Sequence, residues 1–374
     1  MTSACNAAGT ALAQSRPAMK ALRLYAGPAA RAHIAEHGLS PADVRVVPGA
    51  AGGPKGLILG PLDRFLFGEW LPQSSQPVDF VGASIGAWRL ATACLDDPAE
   101  AFARFERDYV QQRFDTPRGG RRMGAAEVSA NFAQSLQGFF GGRAGEVLAH
   151  PRYRLHIVTA RGRHILGREG RARTVAGYLG AFASNSLSRR SLGAWLERCV
   201  FSTPGSSLPF DTLDFRTRRI ELAEGNFQPA LQASCSIPFV LQAVHDIPGG
   251  PPGAYWDGGI TDYHLHLKYS NPDGIVLYPH FQKAVVPGWL DKGLKWRHRA
   301  TPFLDRMVVV APDPDWVRTL PRGKLPDRTD FTGYAGDSDA RIAAWTTAVG
   351  EAGRLADEWA EWLRRPDPTA VVPL

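Results

Sequence analysis

The stretch VGASIGAW, Val81 to Trp88, contains Gly82-Ala83-Ser84-Ile85-Gly86, a G-x-S-x-G pentapeptide. Such a pentapeptide can force a serine out of a sharp strand-to-helix turn, exposing its hydroxyl as a nucleophile. The context fits. PVDFVGAS reads as a short strand running into it and IGAWRLATACL as a helix running out. Small residues at 82, 83 and 86 let the strand, turn and helix backbones approach closely. Ser84 then falls at a helix N-terminus, where free N–H groups and the helix dipole favour a developing anion.

Upstream, VRVVP (44–48) reads as a buried strand, followed by the glycine-rich GAAGGPKG. Next comes the helical pattern LILGPLDRFLFGEW, with Leu59, Leu62, Leu66 and Trp70 on one face; Pro61 inside it implies a kink or a late start. The β-loop-α-β-turn-α rhythm predicts a mainly parallel sheet covered by helices. Further strands are expected at LHIVTA (155–160), GIVLYPH (274–280) and RMVVVAP (306–312). Residues 98–235 read as mostly helical and irregular. Residues 337–365 read as one long amphipathic helix, with Ile342, Trp345, Val349, Ala352, Leu355, Trp359 and Trp362 facing the core and Pro366 ending it. The expected organisation is a small, polar, disordered leader over 1–18 and a single α/β domain over 19–374, with a lid-like helical insertion at about 98–225.

The chain has 374 residues, of which 44% are hydrophobic, enough for a large core. No apolar run reaches the roughly 20 residues of a membrane span, and no secretory h-region opens the chain, so a cytoplasmic location is expected. Cys5, Cys94, Cys199 and Cys235 form no C-x-x-C pair, which predicts free thiols. Net charge is +7, carried mostly by arginine. That suits anionic lipid surfaces or nucleic acid, and equally a compositional bias; no helix-turn-helix, zinc-finger or RNP-like pattern supports nucleic acid.

Two other motifs bear on Ser84. AGGPKG (Ala51 to Gly56) lies one strand upstream. Acyl transfer builds an oxyanion that needs pre-aimed N–H donors, and consecutive glycines can supply them; Gly52 and Gly53 are the candidates, whereas Pro54 has no N–H. A Walker A loop needs a hydroxyl after the lysine, and Lys55-Gly56-Leu57 lacks it. YWDGGITD places Asp257-Gly258-Gly259 downstream, where a strand can end in an exposed turn. A weak nucleophile such as serine needs a base, and Asp257 can serve.

Taken in order, AGGPKG, GASIG, ASCSIPFV (233–240) and DGG closely resemble the patatin-like phospholipases, over about 44–95 and 227–262. The resemblance implies a patatin-like three-layer α/β/α sandwich and a serine hydrolase with a Ser-Asp dyad. Ser84 would be the nucleophile, Asp257 the base, and Gly52 and Gly53 the oxyanion hole. Lys55 stands where the family has a basic residue after the glycines, and Gly56, Gly82, Gly86, Gly258 and Gly259 support the motifs. It implies hydrolysis of lipid acyl esters with no metal or organic cofactor. The family's usual D-G-G-G start reads Ala50-Ala51-Gly52-Gly53 here.

Alternatives remain at this stage. A conventional α/β-hydrolase triad could take His264, His266 or His280 after Asp257. DYHLHLKYS could be a surface strand with His264 and His266 on one face, and H-x-H lacks a third metal ligand. Asp313 and Asp315 suggest a loop rather than a calcium site. A non-catalytic lipid-surface or granule-binding protein could keep a hydrolase scaffold. NFAQSLQGFFGGR (131–143) sets Phe132, Leu136, Phe139 and Phe140 near Arg143, and RGRHILGREGRAR (161–173) is basic. Both could meet an anionic membrane or granule surface, or the phenylalanines could be core and the arginines a solvated face.

Overall fold

The computed structural model describes residues 20–113, 123–270, 273–334 and 336–374. The expected leader and Cys5 lie outside them. Among the described residues eleven strands form one mixed, mostly parallel sheet with helices around it, a three-layer α/β/α sandwich. The strands are β1 (Leu22–Ala26), β2 (Val44–Gly49), β3 (Val78–Ala83), β4 (Tyr153–Gly162), β5 (Leu196–Ser202), β6 (Thr217–Glu221), β7 (Val244–His245), β8 (Ala254–Asp257), β9 (Ile275–Pro279), β10 (Met307–Pro312) and β11 (Val371–Pro373). Their order is β11-β1-β10-β9-β2-β3-β4-β5-β6, with β8 pairing β4 and β7. From β10 through β9, β2 and β3 to β4 every pairing is parallel. Strands covered on both faces should be apolar throughout rather than alternating. Every residue of β9 and β10 is buried, which is why GIVLYPH and RMVVVAP read as continuous apolar runs.

The ten-residue β4 positions the site. Its first half pairs in parallel with β3, ending with Ala83 opposite Val158. Its second half pairs antiparallel with β8, with Asp257 opposite Thr159. The C-terminal ends of β3 and β8 therefore meet head to head along one edge of β4. Residues far apart in the chain become neighbours because they leave consecutive register positions.

Several expectations shift. Pro61 marks a late start: a 3-10 segment Gly53–Leu59 precedes the helix Gly60–Phe65, which passes into a π-turn at Leu66–Trp70. Helices dominate the connection between Ser84 and Asp257, but that connection also holds β5 and β6, which the residue pattern did not announce. The single helix expected over 337–365 is two, Ser338–Glu351 and Gly353–Arg364, broken at Ala352 ahead of Gly353. Its apolar face continues across the break, with Trp345, Val349, Ala352, Leu355, Trp359 and Trp362 all buried.

The phenylalanines of 131–143 belong to the core. In the helix Ala125–Phe140, Leu136, Phe139 and Phe140 are buried, and Phe132 packs against them. Trp88 of the helix after Ser84 gathers the rings of Phe105, Phe132, Phe139 and Phe140. Arg143 is held by Glu146 at 2.7 Å. DYHLHLKYS is not a surface strand: His264 is buried, Leu265 has φ 50°, and the segment hydrogen-bonds to 284–287 through Tyr263 N–H to Pro287 O and His264 N–H to Val286 O.

Candidate active site

Ser84 follows β3 and caps the helix Ile85–Thr92 with φ 57° and ψ −131°, a conformation L-residues rarely adopt. Such strain persists only where the surroundings over-determine it. Here two glycines let the surroundings close in. A Cβ at Gly86 would lie 1.9 Å from Gly49 O, and one at Gly82 2.4 Å from Ala87 Cα. Behind the turn, Arg89 forks onto Asp63 at 2.6 and 2.7 Å, both fully enclosed, tying the elbow helix to the helix Gly60–Phe65.

Ser84 Oγ donates a 2.7 Å hydrogen bond to Asp257 Oδ2 across 173 residues of sequence. Asp257 Oδ1 accepts from the Gly259 N–H at 2.7 Å, which fixes the carboxylate plane. Both side chains are buried, Ser84 being 3% and Asp257 5% accessible, so the expected exposed turns are enclosed ones. Burial raises the Asp257 pKa above the ordinary aspartate value, opposed by the Ser84 hydrogen bond, the Arg328 charge, the Gly259 amide and Lys292.

The segment ASCSIP, at the end of the helix Glu224–Cys235, ties the two ends together. Ser84 N–H donates to Ser234 Oγ at 2.9 Å, and Ser234 Oγ donates onward to Val158 O at 2.7 Å. Asp257 N–H donates to Ser236 O at 2.9 Å and Gly258 N–H to Ser234 O at 3.2 Å. Ser234 and Ser236 therefore position both chain ends, a role the sequence signalled only through resemblance. Gly258 and Gly259 allow the approach. A Cβ at the first would lie 2.0 Å from Val158 O, and at the second 2.6 Å from Ala51 Cβ.

The glycine loop lies beside this turn. Ala51 N–H donates to Tyr263 O at 2.9 Å. Gly52 has φ 177° and ψ −7°, and a Cβ there would lie 2.5 Å from the Phe281 ring. Gly53 has φ 58°, where a side chain is strained, and sits against Arg328. Gly56 packs close to Ile85 and Arg89. Ala51, Gly52, Lys55, Asp257, Gly259, Tyr263, Lys292 and Arg328 are among the residues lining a cavity of about 180 Å3. Lys55 stands 5.3 Å over the Phe281 ring and Lys292 4.0 Å over the Tyr263 ring. Lys292 and Arg328 are site residues that no motif announced.

The histidines face elsewhere. His264 Nδ1 lies 3.0 Å from Ala284 O, and His266 Nδ1 2.8 Å from Val285 O and Nε2 2.7 Å from Thr301 Oγ1. His280 Nδ1 contacts Gln282 O. Among the described residues no histidine hydrogen-bonds to Ser84 or Asp257. Burial draws the His280 pKa down to about 3 and His264 well below its usual value, so both rings are neutral. Asp313 caps the helix Pro314–Val317 and pairs with Arg23 at 2.8 Å. Among the described residues no group of three or more His, Cys, Asp or Glu could hold a metal ion. Cys94, Cys199 and Cys235 are free and buried.

A family model described as patatin-like phospholipase matches residues 52–264, more than half of the chain. No curated protein matches it.

Proposed function

This chain belongs to the patatin-like phospholipase family, which implies lipid acyl hydrolase activity, and from that premise we propose that Ser84 and Asp257 carry it as a two-residue nucleophile and base. The observation that carries the reading is the 2.7 Å hydrogen bond from Ser84 Oγ to Asp257 Oδ2. Ser84 Oγ attacks the acyl carbonyl as its proton passes to Asp257. The amides of Gly52 and Gly53 hold the oxyanion. When the tetrahedral intermediate collapses, Asp257 returns the proton to the departing alkoxide and an acyl-Ser84 ester remains. Water, deprotonated by Asp257, attacks that ester, and the fatty acid leaves as Ser84 recovers its proton. Phospholipase A-type cleavage fits this sequence of steps, with no metal or organic cofactor taking part.

The test is a panel of p-nitrophenyl esters of graded length and defined phospholipids, run beside Ser84→Ala. The serine variant should lose on the order of a million-fold in kcat, and a fluorophosphonate should label the native chain at Ser84. Retention of more than a few per cent of activity, or labelling at Ser234 or Ser236, refutes the assignment.

An anionic lipid surface is the proposed partner, but it meets a different face from the buried phenylalanines. The helix Arg171–Leu187 exposes Val175, Leu179 and Phe182 on one stripe. Phe239 and Val240 are also exposed and directly follow Ile237 and Pro238, which line the cavity. Phe239 holds a φ of 70°, so the chain carries backbone strain where this ring faces water. Arg168, Arg171 and Arg173 flank the stripe, and apolar side chains beside arginines suit an anionic interface. Leu179→Asp with Phe239→Asp should reduce co-sedimentation with phosphatidylserine vesicles more than ester turnover in solution. Undiminished vesicle binding would return the stripe to an ordinary surface.

A further inference from the structure

Among the described residues several arginines in the interior are neutralised by carboxylates. Arg89 is paired with Asp63, Arg198 with Asp262 and Asp214, and Arg161 with Glu197. The cavity at Asp257 differs in kind: of the cations that line it, Lys292 and Arg328 are exposed to solvent and Lys55 is half-buried. Lys55, Lys292 and Arg328 reach its lining from three separate segments of the chain. Among the described residues none of the three forms an ion pair. The carboxylates that share the lining are already engaged: Asp257 with Ser84 and Gly259, and Asp327 with Lys324 and Thr329. The three charges also disfavour one another. Lys292 has its pKa drawn down to about 8 by loss of hydration first, then by Arg328 and Lys55, although Asp257 pulls the other way. At about 180 Å3 the cavity is smaller than the roughly 300–1,000 Å3 of pockets that enclose drug-sized ligands, and it suits a compact polar group better than an extended acyl chain.

We propose that Lys292 and Arg328, with Lys55, form an anion subsite that holds a phosphate or carboxylate carried a few bonds from the ester Ser84 attacks. The subsite rests on the proposed Ser84 chemistry for its purpose, but its binding can be measured without turnover. Arg328 offers a planar fork to two anion oxygens, whereas Lys292 offers a point charge. Lys292 and Arg328 both lie beyond residues 52–264, so the segment outside the family match selects the substrate. An anion here neutralises the repulsion among the three cations, so the ester is held by a contact its neutral analogue lacks.

The experiment compares oleoyl-lysophosphatidate with monooleoylglycerol in neutral detergent micelles, in the native chain and in Lys292→Gln, Arg328→Gln and the double variant. The native kcat/KM ratio should favour the phosphate ester, and each substitution should lower that ratio by about tenfold, the worth of one hydrogen bond to a charged group. Inorganic phosphate is then added to the monooleoylglycerol assay. Competition that vanishes in the double variant assigns the subsite to phosphate itself; preference without competition assigns it to an anion borne on the ester. A ratio that stays within twofold in the double variant overturns the proposal. Calorimetry separates this failure from failure of Ser84 as nucleophile. Ser84→Ala protein should bind oleoyl-lysophosphatidate, and adding both Gln substitutions should weaken that binding. Equal binding with and without them also overturns the subsite, whatever the serine does.

Discussion

Asp257 and Asp262 sit at the two ends of the Gly258-Gly259 turn and its short helix, both buried, in surroundings opposite in kind. Asp262 is saturated: Arg198 forks onto both its oxygens at 2.7 Å, and Arg189 lies 3.4 Å from one of them. Asp214 closes the far side of Arg198, whose guanidinium also stacks 4.3 Å over the Phe215 ring. Among the described residues Asp257 has only a serine hydroxyl and one amide as direct partners. A saturated carboxylate fixes structure. A carboxylate enclosed without a bound cation is held above its ordinary pKa and can accept a proton. Burial alone therefore does not distinguish framework from chemistry; the identity of the partner does.

The largest effect that can break this comparison comes from Asp257→Asn. The amide cannot take the Ser84 proton, so kcat/KM should fall roughly 100- to 10,000-fold. Stability should move the other way. A carboxyl whose folded pKa is raised contributes stability that is fully present below its unfolded pKa and is lost as pH rises through the folded pKa. Above that folded pKa, ionised Asp257 is thus a cost that Asn removes, and Tm should hold or rise. Native activity should also have its acid limb above the ordinary aspartate range, because protonated Asp257 is no base. A Tm that drops together with activity would place Asp257 among the framework residues.

Asp262→Asn should show the reverse. Removing one partner of a buried ion pair strands the other, and such changes cost roughly 3–5 kcal/mol. Denaturant unfolding should record a loss of that order, with Arg198 left facing Asp214 alone. Activity per folded molecule, counted by fluorophosphonate titration, should fall much less than in Asp257→Asn. Unchanged unfolding would mean that the Arg198 cluster does not hold the fold.

The same contrast explains what the residue pattern revealed. The elbow was legible because its constraints are local: small residues at 82, 83 and 86, an apolar strand before, a helix after. β5 was not. Its sequence LERCVFS is wholly buried, yet Glu197 and Arg198 interrupt the apolar run. Their charges are tolerated because Arg161, Arg216, Arg218, Asp262 and Asp214 arrive from elsewhere in the fold. β6, TRRIE, lies at the sheet edge with only Ile220 buried, so it carries no core signature at all. Lys292 and Arg328 were illegible for the same reason, since a basic residue in a loop declares no destination. The phenylalanines of 131–143 show the converse limit: an apolar helix face looks the same in sequence whether Trp88 or a lipid covers it.

The smallest expected effects sharpen the claim that Asp257 works without a histidine. His264 and His280 pack ring against ring at 4.4 Å and bond to loop carbonyls, while His266 bridges Val285 O and Thr301 Oγ1. Among the described residues none of them hydrogen-bonds to Ser84 or Asp257. Replacing each by Gln keeps an N–H able to reach a carbonyl, so local hydrogen bonding can survive. Because His264 and His280 are buried, some loss of folded protein is expected, and turnover should again be counted per fluorophosphonate-reactive site. On that basis each variant should lose less than about tenfold, whereas an essential base should lose roughly 1,000-fold or more. A loss of that larger size at one histidine, in protein that still labels and unfolds cooperatively, would mean that the ring moves to Asp257 during turnover. The contrast between the two aspartates would then describe only the resting enzyme.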